Sequence, residues 1–188
     1  MLTITLQDGS TREFSEGTTL LEMAGKISSK LAKNAVAAEF NGRVCDLTQP
    51  IFEDGELKLL DFDDEKARDV YRHSSSHVMA QAVKRLWPDT RLAIGPAIDK
   101  GFYYDFDTEH TFSPEDFAKI EKEMATIIKN DYPIVRKEMP RNEALDYFRS
   151  IGEMYKVELI EDLLEDAIIS FYEQGDFVDL CAGPHVPS

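Results

Sequence analysis

The chain has 188 residues, a mass of 21.4 kDa, and 36 acidic against 21 basic side chains, which gives a formal charge of −15. Its length suits one large domain or two small ones, and 43% apolar residues exclude a disordered acidic tail. No apolar run approaches the ~18 residues of a membrane span. The N-terminus also lacks the basic and long apolar stretches of a secretion signal. We therefore expect a cytoplasmic protein without a membrane partner.

Cysteine usage and total charge argue against a disulfide-rich protein and against a nucleic-acid-binding protein. Cys45 and Cys181 are far apart in the chain, which argues against a disulfide framework, and Cys45 falls in a predicted strand as a small buried hydrophobe. The acidic charge argues against a nucleic acid, because phosphate binding is driven by Lys and Arg. Residues 157–188 hold eight carboxylates and no Lys or Arg, so the centre of the chain is closer to neutral and can still form a local basic face.

The first part of the chain predicts a hairpin and a helix. Alternating apolar residues around an Asp-Gly turn indicate a strand over 2–6 paired with a strand near 11–14. Thr19 and Glu22 form a capping box, and the apolar residues that follow predict one amphipathic helix to about Lys33.

More strands follow this helix. The pattern predicts strands over 35–40 and 43–47, joined by an Asn-Gly turn of type I′, and a last strand over 56–62. Two strands, one helix and then further strands within residues 1–62 are compatible with a ubiquitin-like β-grasp domain.

A charged stretch at 63–68 predicts a linker, and residues 69–188 predict a second domain of the α+β class. Its predicted helices cover 69–86, 113–129, 141–151 and 155–164, the second of them capped by Ser113 and Pro114. Its predicted strands cover 91–98, 102–107, 132–139, 167–172 and 177–180. The pattern does not determine how these strands pair.

Three of the four histidines fall into two short motifs. His73 and His77 are four residues apart on a predicted helix, so their rings point to the same side, while Cys181 and His185 lie in a Gly-Pro turn after a strand. Three interpretations stay open: core histidines, a zinc site of three imidazoles and a thiolate, or a metal-free hydrolytic pocket whose imidazoles position and deprotonate water. The second motif weighs against isolated core histidines, and no Glu follows His73 as the metalloprotease pattern requires.

The pattern His-x-x-x-His followed later by Cys-x-Gly-x-His resembles the editing domain shared by threonyl- and alanyl-tRNA synthetases and freestanding alanyl-tRNA editing proteins. Several further motifs are similar to the threonyl version. They are Ile94-Gly95-Pro96, Gly101-Phe102-Tyr103-Tyr104-Asp105, Tyr155-Lys156 and Asp179-Leu180-Cys181. The first domain resembles the TGS module that precedes this editing domain in bacterial threonyl-tRNA synthetases, so the resemblance covers the whole chain.

The resemblance implies hydrolysis of the ester that joins serine to the terminal adenosine of tRNA(Thr). A missing methyl group changes binding by only about 1 to 3 kcal/mol, so a synthetic site for threonine needs a second site that removes serine. The family's full enzyme attaches threonine to tRNA(Thr) with ATP, holds zinc in its catalytic core and is a homodimer. Because nothing here resembles that core, we expect an N-terminal fragment whose editing domain is truncated at its C-terminal end.

The resemblance also implies roles for individual residues. His73 contacts the ribose hydroxyl, Lys156 is the cation near the carbonyl or the attacking water, and Asp179 holds the substrate ammonium. The polar wall and the floor of the pocket comprise His77, Cys181, His185, Tyr104, Gly95 and Pro96. The threonyl version is expected to activate water without a metal, whereas alanyl relatives use a similar constellation to hold zinc.

Two other functions remain as alternatives. TGS domains also occur in regulatory or RNA-binding modules without catalysis, which have no use for the two His and Cys motifs. A freestanding alanyl-tRNA editing hydrolase is disfavoured by the TGS-like start and by Tyr155-Lys156. Given the charge, we expect weak and salt-sensitive binding of tRNA, with the rest of the synthetase supplying most phosphate contacts.

Overall fold

A computed structural model describes all 188 residues, which form two compact units. The first unit contains residues 1–71 and 183–187, and the second contains 72–182 and Ser188. Both combine helices with sheets, which confirms the predicted α+β class. None of the helices has the length and apolar character needed to cross a membrane.

The first unit is built on a five-stranded sheet. Its strands are β1 (Leu2–Leu6), β2 (Thr11–Phe14), β3 (Ala37–Phe40), β4 (Arg43–Cys45) and β5 (Gly55–Leu60). They lie in the order β2-β1-β5-β3-β4, with β1 parallel to β5 and all other neighbours antiparallel. This order, with helical structure between β2 and β3, is the predicted β-grasp fold.

Two details of this sheet follow from the local sequence. Asn41 and Gly42, between β3 and β4, have φ values of 48° and 79°, as the predicted type I′ turn requires. The Asn41 side chain accepts the Glu56 N–H at 2.8 Å, which ties the turn to β5. Cys45 is half-buried beside the core, and burial raises the pKa of its thiol.

The predicted single helix after Thr19 is two helices, α1 (Leu20–Ile27) and α2 (Ser29–Asn34). Ser28 separates them in an extended conformation, with φ −164° and ψ 130°. Its N–H closes α1, and its hydroxyl accepts the Leu31 N–H at the start of α2. The prediction of one helix is wrong because serine caps a new helix in competition with continuing the old one.

The capping box at the start of α1 is confirmed. The Thr19 N–H donates to Glu22 Oε2 at 2.9 Å, and the Glu22 N–H donates to Thr19 Oγ1 at 3.3 Å. We expect Thr19→Ala to lower the free energy of unfolding by about 1 kcal/mol, because it removes the acceptor for an otherwise unpaired helical N–H. Chemical denaturation measures the change, with Thr48→Ala in an exposed turn as the control. Equal stability of the two variants would contradict this assignment.

A long helix, α3 (Glu65–Leu86), runs from the first unit into the second. It begins before the predicted start at Asp69 and within the stretch that was expected to be a linker. Ala67 and Val70 explain this, because they are buried in an apolar cluster of the first unit and extend the helix towards it. The Arg68 side chain also hydrogen bonds to the Phe62 carbonyl at 2.6 Å. The domain boundary at 63–68 stays a prediction.

An irregular hairpin follows α3. Its four short strands are β6 (Arg91–Leu92), β7 (Ala97–Ile98), β8 (Gly101–Phe102) and β9 (Phe106–Asp107), where β6 pairs with β9 and β7 with β8. Each of the two predicted strands, 91–98 and 102–107, is therefore divided. The interruption coincides with Gly95 and Pro96, since Pro has no N–H for a regular ladder.

The rest of the second unit contains α4 (Pro114–Asn130), β10 (Ile134–Pro140), α5 (Arg141–Ser150), α6 (Met154–Glu161), β11 (Ile168–Gln174) and β12 (Phe177–Leu180). The three strands form an antiparallel sheet in the order β10-β11-β12. Phe148 of α5, Ile160 of α6 and Phe171 of β11 pack together in its main apolar core. This packing positions α6 and the end of β12, which both contribute to the candidate site.

Candidate functional site

The helix α3 presents two imidazoles side by side. The ring centroids of His73 and His77 are 5.0 Å apart and the rings are nearly perpendicular, as the four-residue spacing predicts. His77 is buried and His73 is half-buried. Ser76 joins this helix to the hairpin, because its Oγ lies 2.7 Å from the carbonyl oxygens of both His73 and Gly95.

Cys181 reaches the same place from the end of β12. Its Sγ lies 3.3 Å from His73 Nε2, and Ser170 of β11 holds its backbone through two hydrogen bonds. The ligand atoms of His73, His77 and Cys181 all lie within 4.8 Å of one another. Imidazole and thiolate are ligands of zinc, so these three side chains could hold that ion. The hydrogen-bonding distance between Sγ and Nε2 equally suits a thiol and an imidazole that pair directly.

His185 belongs to the first unit. It is buried, and its backbone N–H donates to Asp46 Oδ1 at 2.6 Å. The segment 183–187 that contains it packs with residues 1–71.

A buried charged network lies between α6, β12 and the hairpin. Lys156 and Asp179 are each 2% exposed, and Lys156 Nζ lies 2.7 Å from Asp179 Oδ1. The same ammonium donates to the Ala93 carbonyl at 2.5 Å and to the Tyr104 hydroxyl oxygen at 3.2 Å. Two hydrogen bonds and the ion pair with Asp179 thus fix the position of the Lys156 ammonium in a buried space.

Tyr104 completes this network. Its hydroxyl donates to Asp179 Oδ2 at 2.5 Å, and burial together with the Asp179 charge raises the pKa of Tyr104 far above its usual value. The phenol therefore keeps its proton at neutral pH. Its ring stacks on Phe106 and lies so close to Gly95 that a Cβ on this glycine would be 2.0 Å from the ring. Pro96 lies at the surface of the hairpin, where its carbonyl accepts the Tyr103 N–H.

His77 faces this network as a neutral base. Its Nε2 lies 3.7 Å from Asp179 Oδ2. Burial lowers the pKa of His77 well below the ordinary 6.5, and the charges of His73 and Lys156 lower it further. A neutral imidazole can accept a proton from water, which a protonated one cannot do.

This environment predicts how His77 titrates. Its ring proton signals in NMR should shift with a midpoint well below pH 6.5, because burial disfavours the imidazolium. Above that midpoint the unfolded chain binds more protons at this residue than the folded chain does. His77 therefore makes the protein less stable as the pH falls below about 6.5. A midpoint at or above 6.5 would contradict the assignment.

Two residues of this region have no sequence signal of their own. Glu153 is buried beside the network and accepts hydrogen bonds from Lys84 Nζ at 2.5 Å and from the Leu92 N–H at 3.2 Å. In the sequence, Glu153 looks like an ordinary acidic residue before a helix, and Lys84 like an ordinary basic residue in the last turn of one. The structure gathers the following predicted site residues in the second unit: His73, His77, Gly95, Tyr104, Lys156, Asp179 and Cys181.

Comparison with protein families finds one match at each end of the chain. Residues 2–61 match the TGS domain, and residues 169–188 match the domain described as the "threonyl and alanyl tRNA synthetase second additional domain". The first match covers the β-grasp sheet. The second covers β11, β12 and the segment that contains Cys181.

Comparison with individual proteins finds similarity over the full length of the chain. It is 69% identical over 188 residues to the threonine–tRNA ligase of Syntrophomonas wolfei, 58% to that of Desulforamulus reducens and 60% to that of Acetivibrio thermocellus. In each case the alignment covers all of this chain and 30% of the relative. The chain therefore spans less than a third of the length of these ligases.

Proposed function

We propose that the chain is the N-terminal region of a threonine–tRNA ligase, as its similarity to such ligases over its full length supports, and that it removes serine from misacylated tRNA(Thr) by ester hydrolysis. The observation that supports this most is the buried cluster of Lys156, Asp179 and Tyr104 beside the neutral His77. This cluster offers a fixed cation, a carboxylate and a proton acceptor. Hydrolysis of an aminoacyl ester needs these three groups.

In this proposal Asp179 receives the α-ammonium of the seryl group. A carboxylate has about four acceptor positions, and Tyr104 uses one of them, while Asp179 Oδ1 is paired with Lys156 through charge but accepts no hydrogen bond. Lys156 stabilises the negative charge that develops on the ester carbonyl oxygen. Its ammonium donates to the Ala93 carbonyl and to the Tyr104 hydroxyl oxygen, and it exchanges one of these two hydrogen bonds for one to the substrate. Lys156 thus acts through its charge and not as a base.

The imidazoles handle the protons. A water molecule attacks the carbonyl carbon and passes a proton to neutral His77, while the bond between that carbon and the ribose oxygen breaks. Protonated His77 passes this proton on to the leaving ribose oxygen, which restores the neutral imidazole, and His73 orients the neighbouring hydroxyl. The remaining proton of the attacking water leaves the new carboxylic acid for the solvent. The products are free serine and uncharged tRNA, so atoms and charges balance without a further reactant. Threonine is excluded by its additional methyl group.

Editing in this proposal requires no metal ion. The 3.3 Å distance between Cys181 Sγ and His73 Nε2 is compatible with a direct thiol–imidazole hydrogen bond, and the chelator in the assay below tests whether an ion is also needed. ATP and zinc belong to the attachment of threonine by a separate catalytic core. We further propose that the whole protein carries out that attachment in the cytoplasm, as a homodimer.

A deacylation assay tests the proposed function. The chain is mixed with tRNA(Thr) carrying serine or threonine and with alanyl-tRNA, with and without a zinc chelator. We expect rapid loss of serine, slow loss of threonine and alanine, and no effect of the chelator. Preference for alanine would indicate an alanyl-tRNA editing hydrolase, and no hydrolysis would indicate a binding module. A chelator that stops hydrolysis would contradict the metal-free mechanism.

A further inference from the structure

A second ion pair, with a buried carboxylate and a partly exposed ammonium, lies next to the Lys156 network. Glu153 and Lys84 form it, with 2.5 Å between Glu153 Oε1 and Lys84 Nζ. The Glu153 side chain is 5% exposed, and that of Lys84 is 33% exposed. Neither is part of the mechanism above. Removing a carboxylate from water costs free energy unless its partners are well placed. The contacts of Glu153 indicate a role for this pair.

The partners of this pair converge on one short piece of backbone. The second carboxylate oxygen of Glu153 accepts the Leu92 N–H at 3.2 Å, and Lys84 Nζ also donates to the Thr90 carbonyl at 2.7 Å. The carbonyl of Ala93, the residue after Leu92, accepts the hydrogen bond from Lys156 Nζ at 2.5 Å. The pair thus holds the backbone immediately before the carbonyl to which Lys156 is bound.

Glu153 and Lys156 also belong to the same turn of backbone. The Lys156 N–H donates to the Glu153 carbonyl at 3.1 Å, at the start of α6. The two side chains hold neighbouring residues of the hairpin from one helix end, Glu153 at an N–H and Lys156 at a carbonyl. Among the groups that raise the pKa of Tyr104, after burial and Asp179, is Glu153.

We propose that Lys84 and Glu153 are positioning residues, which hold the Ala93 carbonyl and α6 in register so that the Lys156 ammonium points at Asp179. The inference rests on the proposed hydrolysis, in which Lys156 supplies the positive charge. A loosened register would move that charge by a fraction of a bond length to about an ångström. Small displacements of this kind reduce the chemical step by up to about a hundredfold and leave substrate binding nearly unchanged.

The test compares Glu153→Gln and Lys84→Met with the unaltered chain. We expect kcat for seryl-tRNA(Thr) to fall at least about tenfold in each variant, with KM within about twofold. Lys84→Arg, which keeps the cation, should restore kcat to within about threefold of the original. The matched control is the pair of Lys137, whose side chain is 50% exposed, and Glu173, 2.6 Å apart, where Lys137→Met should change neither quantity.

Hydrogen exchange provides a readout that is independent of activity. The Leu92 amide should exchange faster in Glu153→Gln, because its acceptor loses its charge and its anchor to Lys84. Unchanged kcat in folded variants, or unchanged exchange at Leu92, would overturn the inference. If Glu153→Gln does not fold, Lys84→Met decides the question at a partly exposed position. If the unaltered chain has no hydrolytic activity, the proposed function is contradicted. The hydrogen-exchange rate of the Leu92 amide would still test whether Glu153 and Lys84 hold this backbone in place.

Discussion

Replacing Lys156 by methionine is expected to lower the rate of seryl-tRNA(Thr) hydrolysis by at least about a hundredfold, the size of effect found when one charge-stabilising donor is lost. The side chain is buried and holds Asp179, Tyr104 and the Ala93 carbonyl together. Methionine keeps much of its volume but supplies neither the charge nor the three protons. Single-turnover kinetics below the melting temperature measure the change.

The same substitution should also destabilise the fold. Removing one partner of a buried ion pair typically costs about 3 to 5 kcal/mol, because the Asp179 carboxylate then lacks a counter-charge. The double variant Lys156→Met with Asp179→Asn should regain most of this stability and none of the activity. Lys137→Met, in a pair whose lysine side chain is 50% exposed, is the control for loss of a lysine. Hydrolysis at more than a tenth of the original rate would remove Lys156 from the mechanism.

Gly95→Ala is expected to have the second largest effect. A Cβ at this position would lie 2.0 Å from Tyr104 Cδ2 and 2.4 Å from Cε2, so the ring must move. Tyr104 is buried and stacked on Phe106, which leaves it little room. We expect a loss of about 1 to 3 kcal/mol in stability from overpacking. Displacement of the Tyr104 hydroxyl from Asp179 should reduce hydrolysis by about a hundredfold.

The hairpin offers a matched control for this substitution. A Cβ on Gly101, in the same hairpin, meets no atom within 4 Å, so Gly101→Ala should alter neither stability nor rate appreciably. Thermal denaturation and the deacylation rate of both variants decide the point. If Gly95→Ala has the same stability and deacylation rate as Gly101→Ala, neither the fold nor hydrolysis depends on the observed position of Tyr104.

Local chemistry explains which parts of the fold were predictable. The Asn41-Gly42 turn, the Thr19 capping box and the α3 spacing of His73 and His77 each depend on residues a few positions apart. The break at Ser28 and the early start of α3 depend on competing caps and on burial against other elements. Such competition is decided by packing, which a pattern along the chain does not contain.

The candidate site shows the same division. The four-residue spacing predicts the two histidines of α3, but Lys156 and Asp179 look like ordinary surface charges in the sequence and are indicated only by the family resemblance. Their ion pair depends on α6 packing against the sheet that ends in β12. Glu153 was missed because its burial arises from contacts with Lys84 and Leu92, 69 and 61 residues away in the chain.

The formal charge of −15 affects how tightly the chain can bind tRNA. The chain is expected to bind tRNA weakly, because few of its phosphate contacts can come from so acidic a surface. In the proposed function the second unit handles only the aminoacylated 3′ end. Tight binding of tRNA at physiological salt would contradict the view that this chain contacts only the aminoacylated 3′ end.

The measurement that tests the central claim most directly is the ratio of two deacylation rates. The chain in excess is mixed with tRNA(Thr) that carries serine or threonine, and release of each amino acid is followed over time. The account predicts that serine is released at least about tenfold faster than threonine, and that Lys156→Met slows the release of serine at least about a hundredfold. Equal rates for the two esters, or release by Lys156→Met at more than a tenth of the original rate, would contradict it.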